Sequence, residues 1–186
     1  ELLVDKVLDF VEQTSLKNGK ILDVGTGSGC IALTIKKNLP NFEVQGCDIS
    51  TEALEVAQLN ARRMGLKIDF FESDLLMEVK SSFDIVVANL PYIGRKSFSF
   101  ISEAVAEFEP HLALFGGDDG LQLYRKLFEQ IKDASRKPLL LLGEFGFLQR
   151  QELEESLNKF FPQAKITFEK DLAHIERAFV VIFPRS

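Results

Sequence analysis

The chain has 186 residues, of which 46% are hydrophobic and 27% are charged, and its formal net charge is −6. This length fits one domain over residues 1–186, and no apolar run approaches the roughly 18 residues that a membrane-spanning helix needs. The acidic balance opposes nonspecific binding to a nucleic-acid backbone. Only two cysteines are present, Cys30 and Cys47, which favours a reducing compartment. The composition predicts a soluble, cytoplasmic domain without stable nucleic-acid or membrane partners.

Hydrophobic periodicity and turn residues predict helices and strands in alternation. In chain order we expect a helix over 3–11, a strand over 21–24, a helix over 31–39, a strand over 42–46, a helix over 53–64 and strands over 68–71 and 83–88. The segment 94–119 has no clear period, and we interpret it as a substrate-facing flap. Beyond it we expect a helix over 121–131, a strand over 138–142, a helix over 152–160 and strands over 166–168 and 179–183.

Capping residues mark two of the predicted helices. Ser50 or Thr51 is suited to begin the helix after the second strand, and Gly65 is suited to end it. Asp118 or Asp119 is suited to begin the helix over 121–131. These positions set the expected boundaries of both helices.

The alternation is typical of βαβ units and predicts a Rossmann-like α/β fold. We expect a mainly parallel seven-stranded sheet with helices on both faces, closed by an antiparallel hairpin at the C-terminus. Ligands of such sheets bind at the carboxyl ends of the strands. The residues that fall there are Gly25 to Gly29, Asp48, Asp74 and Asn89.

The first strand runs into a glycine turn, Gly25-Thr26-Gly27-Ser28-Gly29. Such a turn lets the backbone approach a ligand and opens a helix whose N–H groups point inward. Asp48 follows 23 residues after Gly25, where a carboxylate can accept both hydroxyls of a ribose. Cys30 stands where a dehydrogenase fingerprint needs glycine, and P-loop residues are absent, which favours a ligand with one nucleoside. The alternative is an ordinary tight turn, with Asp48 capping the next helix.

Asp74 and Leu75 follow the third strand. Asp74 is suited to accept a hydrogen bond from the exocyclic amine of an adenine, and Leu75 to pack on the ring. Asp74 is equally suited to cap a loop. The sequence leaves both interpretations open.

The fourth strand ends in Asn89-Leu90-Pro91-Tyr92, a sequence suited to hold a planar amide. If the Asn89 side-chain oxygen and the Leu90 carbonyl each accept one N–H, the nitrogen lone pair is oriented toward an electrophilic methyl group. Pro91 restricts Leu90 to extended angles, and Tyr92 can pack its ring on the substrate. A strand-ending turn is the structural alternative. No metal is needed for this chemistry, and His111 and His174 form no ligand-spaced cluster.

Several motifs together resemble the class I methyltransferases that use S-adenosylmethionine, and among them the HemK or PrmC family of protein-(glutamine-N5) methyltransferases. The resemblance extends over essentially the whole chain, and the block Glu109 to Tyr124 distinguishes this family from adenine-N6 methyltransferases. The matching segments are Asp23-Val24-Gly25-Thr26-Gly27-Ser28-Gly29, Asn89-Leu90-Pro91-Tyr92-Ile93, Glu109-Pro110, Ala113-Leu114-Phe115-Gly116-Gly117, Asp119-Gly120-Leu121 with Tyr124, and Glu144-Phe145-Gly146 with Gln149.

The resemblance implies methylation of the glutamine in the Gly-Gly-Gln loop of class I peptide chain release factors, with S-adenosylhomocysteine as the other product. A ribosomal-protein glutamine is the neighbouring possibility. Gly25 to Gly29 and Asp48 would bind the cofactor, and Asn89 would touch both cofactor and substrate. Leu90, Pro91 and Tyr92 would complete the glutamine pocket.

Two features depart from the family pattern. The family has Asn-Pro-Pro-Tyr, whereas position 90 is Leu, which keeps the carbonyl, loses one proline's stiffness and adds an N–H. Family members usually carry an N-terminal helical domain, and we expect that domain to be absent from this chain. Two other functions stay open: an adenine-N6 nucleic-acid methyltransferase with the same loop, and an S-adenosylmethionine-binding module without catalysis.

Overall fold

The computed structural model describes residues 1–92 and 119–184. Its elements are α1 (Leu2–Thr14), β1 (Lys20–Val24), α2 (Cys30–Asn38), β2 (Glu43–Asp48), α3 (Thr51–Met64), β3 (Asp69–Glu72), β4 (Ile85–Ala88), α4 (Gln122–Asp133), β5 (Leu140–Glu144), α5 (Arg150–Phe160), β6 (Lys165–Lys170) and β7 (Glu176–Ile182). The predicted flap, apart from Asp119, lies outside the described residues.

The strands form one seven-stranded sheet in the order β3-β2-β1-β4-β5-β7-β6. The first five strands pair in parallel, and β7 runs antiparallel to both β5 and β6. The predicted parallel sheet with a C-terminal antiparallel hairpin is confirmed. Because β1 lies between β2 and β4, Val24 is in register with Cys47 on one side and with Ala88 on the other. The carboxyl ends of these three strands therefore meet at one edge.

Alternate strand residues bury opposite faces of the sheet, as the period of two requires. Ile21 and Ile85 belong to a core cluster shared with α1, α2 and α3, whereas Leu22 and Val86 belong to a second cluster shared with α4 and α5. Helices thus cover both faces, as predicted.

The second cluster is rich in aromatic rings. Phe128 of α4 lies at its centre, with ring centroids 5.6 Å from Phe161, 5.8 Å from Phe179, 5.9 Å from Tyr124 and 6.0 Å from Phe160. Tilted and edge-on ring pairs at such distances stabilise beyond their buried area. This cluster anchors α4 against the sheet and so fixes the position of Tyr124 at the helix N-terminus.

The capping predictions have mixed outcomes. Ser50 Oγ accepts a hydrogen bond from Ala53 N at 3.1 Å, and Gly65 ends α3 at a φ of 65°, so both are confirmed. The prediction that Asp119 caps α4 is wrong, because Leu121 occupies the capping position without a side-chain bond. Asp119 lies two residues earlier, where its Oδ1 accepts from Leu121 N at 3.0 Å. Asp118 lies outside the described residues.

Within residues 1–92 and 119–184, the structure contains no helix that is both long and apolar enough to cross a membrane. Both cysteines are free, Cys30 at the surface and Cys47 buried.

Replacing Phe128 by Ala is expected to lower the free energy of unfolding by about 3–5 kcal/mol, because it leaves a cavity among four rings. Urea denaturation followed by circular dichroism measures the change. Phe147→Ala is the matched control, since Phe147 is 62% exposed; we expect a change within about 0.5 kcal/mol there. Equal losses in the two variants would contradict the central role of the Phe128 ring.

Candidate active site

The glycine turn connects β1 to α2 and is held against the end of β2. Gly25 N and Thr26 N donate to the Cys47 carbonyl at 2.8 and 2.9 Å. Gly25 has a φ of 69°, and a Cβ there would come within 2.9 Å of Leu90 Cδ2. Glycine is therefore required at the point where the turn meets the loop after β4. By contrast, a Cβ on Gly27 would meet no atom of the described residues within 4 Å, so these residues leave open space beside this part of the turn.

Asp48 lies at the end of β2 and is partly exposed. Its Oδ2 accepts a hydrogen bond from Gly27 N at 2.8 Å, and its Oδ1 accepts from Ser50 N at 3.0 Å. The carboxylate therefore ties the glycine turn to the start of α3. Each oxygen has further lone pairs, so these bonds leave capacity for ribose hydroxyls. The predicted ribose contact stays a prediction.

Asp74 and Leu75 take up the loop after β3, close to α4. The Asp74 carboxylate pairs with Lys126, and Gln130 Oε1 accepts from Leu76 N at 2.8 Å. Leu75 has a φ of 57° and buries its side chain in the second core cluster. The loop-holding interpretation of Asp74 thus has a physical partner in Lys126. The adenine contacts of Asp74 and Leu75 stay predictions.

The loop Asn89 to Tyr92 follows the carboxyl end of β4, and its first two residues differ in their exposure to solvent. Asn89 is exposed, and within the described part of the chain no hydrogen bond holds its carboxamide. Leu90 is only 3% exposed and packs toward Gly25. The Asn89 amide is therefore available to a ligand, while the buried Leu90 anchors the loop to the glycine turn.

Tyr124 is a site residue whose contacts cannot be read from the sequence. Its single O–H is shared between the carbonyls of Glu144, at 2.5 Å, and Ala88, at 3.0 Å, and its oxygen accepts a long bond from Leu90 N at 3.5 Å. Burial raises the pKa of the Tyr124 hydroxyl, which therefore stays a neutral donor. The N–H that Leu90 adds to the family pattern thus faces an acceptor, and the ends of β4 and β5 are joined at the site.

Asp23 lies under the glycine turn, fully buried. Its Oδ2 accepts from Thr26 Oγ1 at 2.7 Å and from Ala32 N at 3.1 Å, which holds the turn to the first residues of α2. Its Oδ1 is buried without a hydrogen-bond partner. Desolvation raises the pKa of Asp23 to about 7, against the lowering effect of the Thr26 and Ala32 bonds. The sequence motif includes Asp23, but only the structure shows that its side chain is buried.

Residues 3–116 match the family model described as "Methyltransferase small domain". The chain is 49% identical over 187 residues to a release factor glutamine methyltransferase of Flavobacterium psychrophilum, covering 98% of this chain and 65% of the relative. It is 39% identical over 181 residues to the one from Streptococcus pneumoniae, covering 97% and 64%. The chain thus spans less than two thirds of the length of these relatives.

Among solved structures, the ribosomal protein L11 methylase from Lactobacillus delbrueckii subsp. bulgaricus superposes with a TM-score of 0.68 at 21% identity, covering 98% of this chain and 78% of that one. This likeness confirms the predicted class I methyltransferase fold. The curated relatives confirm the resemblance to glutamine methyltransferases that the motifs predicted.

The raised pKa of Asp23 predicts how stability depends on pH. The folded state holds the proton up to about pH 7, whereas the unfolded carboxyl ionises near its usual pKa of 3.8. The free energy of unfolding is therefore expected to fall as pH rises between these values, by roughly 4 kcal/mol in total. Asp23→Asn removes this titration.

Urea denaturation at intervals between pH 4 and pH 8 measures the difference between the unfolding free energies of the wild type and Asp23→Asn. We expect this difference to shift in favour of the variant as pH rises. Asp69→Asn removes a carboxyl group from an exposed position and serves as the surface control. A pH-independent difference for Asp23→Asn would show that the carboxyl ionises alike in the folded and unfolded states.

Proposed function

The chain belongs to the methyltransferase small domain family, and from this premise we propose that it transfers a methyl group from S-adenosylmethionine to the side-chain amide nitrogen of a protein glutamine. The proposed acceptor is the glutamine in the Gly-Gly-Gln loop of a class I peptide chain release factor, and the relatives that bear that function in their names support this choice. The observation that carries the proposal is the close approach of Leu90 to Gly25, which joins the glycine turn to the loop that carries Asn89.

The proposed cofactor residues are Gly25, Thr26, Gly27, Ser28, Gly29, Asp48, Asp74, Leu75 and Asn89. Three observations fit S-adenosylmethionine at this place. The space at Gly27 is open, Asp48 has acceptor capacity for ribose hydroxyls, and the buried Asp23 Oδ1 has no partner. An unpaired buried carboxylate oxygen suits a ligand that brings positive charge or a donor, and S-adenosylmethionine carries both a sulfonium and an ammonium group.

The bound cofactor would supply an electrophilic methyl group, and the residues of this chain would orient the acceptor amide. Asn89 Oδ1 and the Leu90 carbonyl each accept one N–H of the glutamine, so that its nitrogen presents the lone pair. The same two oxygens stabilise positive charge that develops on nitrogen. As the N–C bond forms, the bond from the methyl group to sulfur would break with its electron pair left on the sulfur, and the nitrogen would release one proton to solvent water. Pro91 fixes the direction of the Leu90 carbonyl, and the Tyr92 ring packs on the planar amide.

Leu90 stands where the family pattern has proline, and its surroundings supply a different restraint. Its side chain is buried toward Gly25, and its N–H faces the Tyr124 hydroxyl. Packing and a hydrogen bond thus oppose the rotation that a proline ring would prevent covalently. We expect the Leu90 carbonyl to keep the direction that the chemistry needs.

Replacing Asn89 by Ala is expected to lower methyl transfer by about 10²–10³-fold, because one of two preorganised acceptors for the glutamine amide is lost. Intact-mass analysis of a purified class I release factor, incubated with this chain and S-adenosylmethionine, measures the transfer. Cofactor affinity, measured by calorimetry, should fall much less than methyl transfer, because the other proposed cofactor residues are unchanged. The exposed Asn158→Ala on α5 is the matched control and should transfer at the wild-type rate.

A release factor with its loop glutamine replaced controls for the site of modification and should gain no methyl group. Methyl transfer to DNA or RNA oligonucleotides instead would favour the adenine-N6 function. Cofactor binding without transfer to any of these acceptors would favour a binding module. Undiminished transfer by Asn89→Ala would defeat the proposed mechanism.

Replacing Asp48 by Asn is expected to weaken S-adenosylmethionine binding by roughly 10- to 100-fold, the usual cost of losing hydrogen bonds to a charged acceptor. Calorimetric titration measures the dissociation constant. Asp69→Asn removes the same charge from an exposed site at the start of β3 and should bind the cofactor normally. Equal affinities for Asp48→Asn and the wild type would remove Asp48 from the proposed cofactor site.

A further inference from the structure

Gln149 lies just before α5 and joins three backbone groups near the reacting loop. Its Nε2 donates to the Tyr92 carbonyl at 2.6 Å and to the Asp119 carbonyl at 2.9 Å, and its Oε1 accepts from Gly146 N at 2.8 Å. Two carbonyl oxygens can only accept, so the nitrogen must face them, which settles the orientation of the amide. The carboxamide therefore uses two donors and one acceptor at once.

Tyr92 is held at three points by the segment that follows β5. Gln149 binds its carbonyl, a Cβ on Gly146 would lie 3.1 Å from its Cδ2, and its hydroxyl donates to Glu144 Oε1 at 3.4 Å. We call Glu144, Gly146 and Gln149 the Tyr92 cradle. Its members restrain the carbonyl, the ring and the hydroxyl, which together set the direction of the aromatic ring.

The second carbonyl bound by Gln149 is fixed independently. Asp119 pairs with Arg125 at 2.6 Å and accepts from Leu121 N, so its backbone is tied to α4. Gly120 has a φ of 78°, and a Cβ there would overlap the Tyr92 carbonyl oxygen and Gln149 Nε2. The close approach of Tyr92 and Gly120 thus requires both a glycine and a donor between the two carbonyls. Gln149 provides that donor.

We propose that Gln149 is a positioning residue for methyl transfer, which acts through Tyr92 to orient the acceptor glutamine. The inference rests on the proposed function, in which the Tyr92 ring packs on the acceptor amide. Gln149 touches neither Asp48 nor the glycine turn. Its replacement should therefore change the orientation of the acceptor glutamine and leave cofactor affinity unchanged. A purely structural role at the start of α5 would need only the Oε1 bond to Gly146.

Gln149→Glu separates these two roles. The introduced carboxylate keeps an acceptor for Gly146 N but removes both donors and turns negative charge toward two carbonyl oxygens. We expect kcat/KM for the release factor to fall about 10²-fold, mainly in kcat, because the acceptor loses orientation. The S-adenosylmethionine dissociation constant, measured by calorimetry, should stay within about twofold of the wild type. A lost cofactor affinity, or an undiminished kcat, would overturn the proposal.

A pH profile gives a second readout. Two carbonyl oxygens face the introduced carboxyl and disfavour its ionised form, so its pKa should lie above the ordinary value of about 4.3. As pH falls from 8 toward 5, the carboxyl takes up a proton and regains one donor, so the activity of Gln149→Glu relative to the wild type should rise. Gln151→Glu is the matched control, because Gln151 lies two residues on in α5, is exposed and, among residues 1–92 and 119–184, hydrogen-bonds only Glu155, at 3.1 Å. Its relative activity should be near unity and flat with pH. A flat profile for Gln149→Glu would count against the donor role.

Tyrosine labelling tests the cradle without relying on catalysis. The chain has only two tyrosines and no tryptophan, so 3-fluorotyrosine incorporation should yield two ¹⁹F resonances, from Tyr92 and the buried Tyr124. Gln149→Glu should shift or broaden the Tyr92 resonance and leave that of Tyr124 in place, whereas Gln151→Glu should move neither. If the wild type fails to methylate the release factor, the proposed function is wrong, but the ¹⁹F spectra still test whether Gln149 fixes the position of Tyr92. A Tyr92 resonance that does not change in Gln149→Glu would refute the claim that Gln149 holds the Tyr92 ring.

Discussion

The position of β1 between β2 and β4 is the constraint on which the site depends. The register that sets Val24 beside Cys47 and Ala88 brings the ends of three strands together. The glycine turn then lies against β2 through two hydrogen bonds to Cys47 and against the loop after β4 through Leu90. Residues far apart in sequence acquire adjacent places because parallel strands end at the same edge.

The buried Asp23 carboxyl, which holds the glycine turn at that edge, lowers the stability of the folded state. Asp23 is buried under the turn with one oxygen unpaired, and its pKa is raised to about 7 because desolvation outweighs its two hydrogen bonds. An apolar residue at this position would have a smaller desolvation penalty, but Thr26 Oγ1 and Ala32 N would lose their hydrogen-bond acceptor. The turn thus keeps its shape while stability falls as pH rises from about 4 to 7, as expected where a site rather than packing determines the residue.

The sequence alone predicted the parts of this structure that local chemistry determines. The strand-turn-helix at Gly25 to Gly29, the cap at Ser50 and the exposed Asn89 after a buried strand all follow from short-range patterns. The cap of α4 could not be predicted from such patterns, because Asp119 binds Leu121 N and Arg125 and does not occupy the capping position. Gln149 and Tyr124 could not be predicted as neighbours of the loop, since their contacts span 57 and 34 residues.

The same long-range contacts explain how the loop can do without the proline of the family pattern at position 90. A proline would restrain the backbone covalently, at no cost in tertiary contacts. Leu90 instead relies on Gly25 and on the Tyr124 hydroxyl, and Tyr124 relies in turn on the aromatic cluster around Phe128. The stiffness of the loop after β4 therefore depends on the second core cluster. A substitution in that cluster, although remote from the loop, would loosen the loop by displacing Tyr124. A proline at position 90 would uncouple the two.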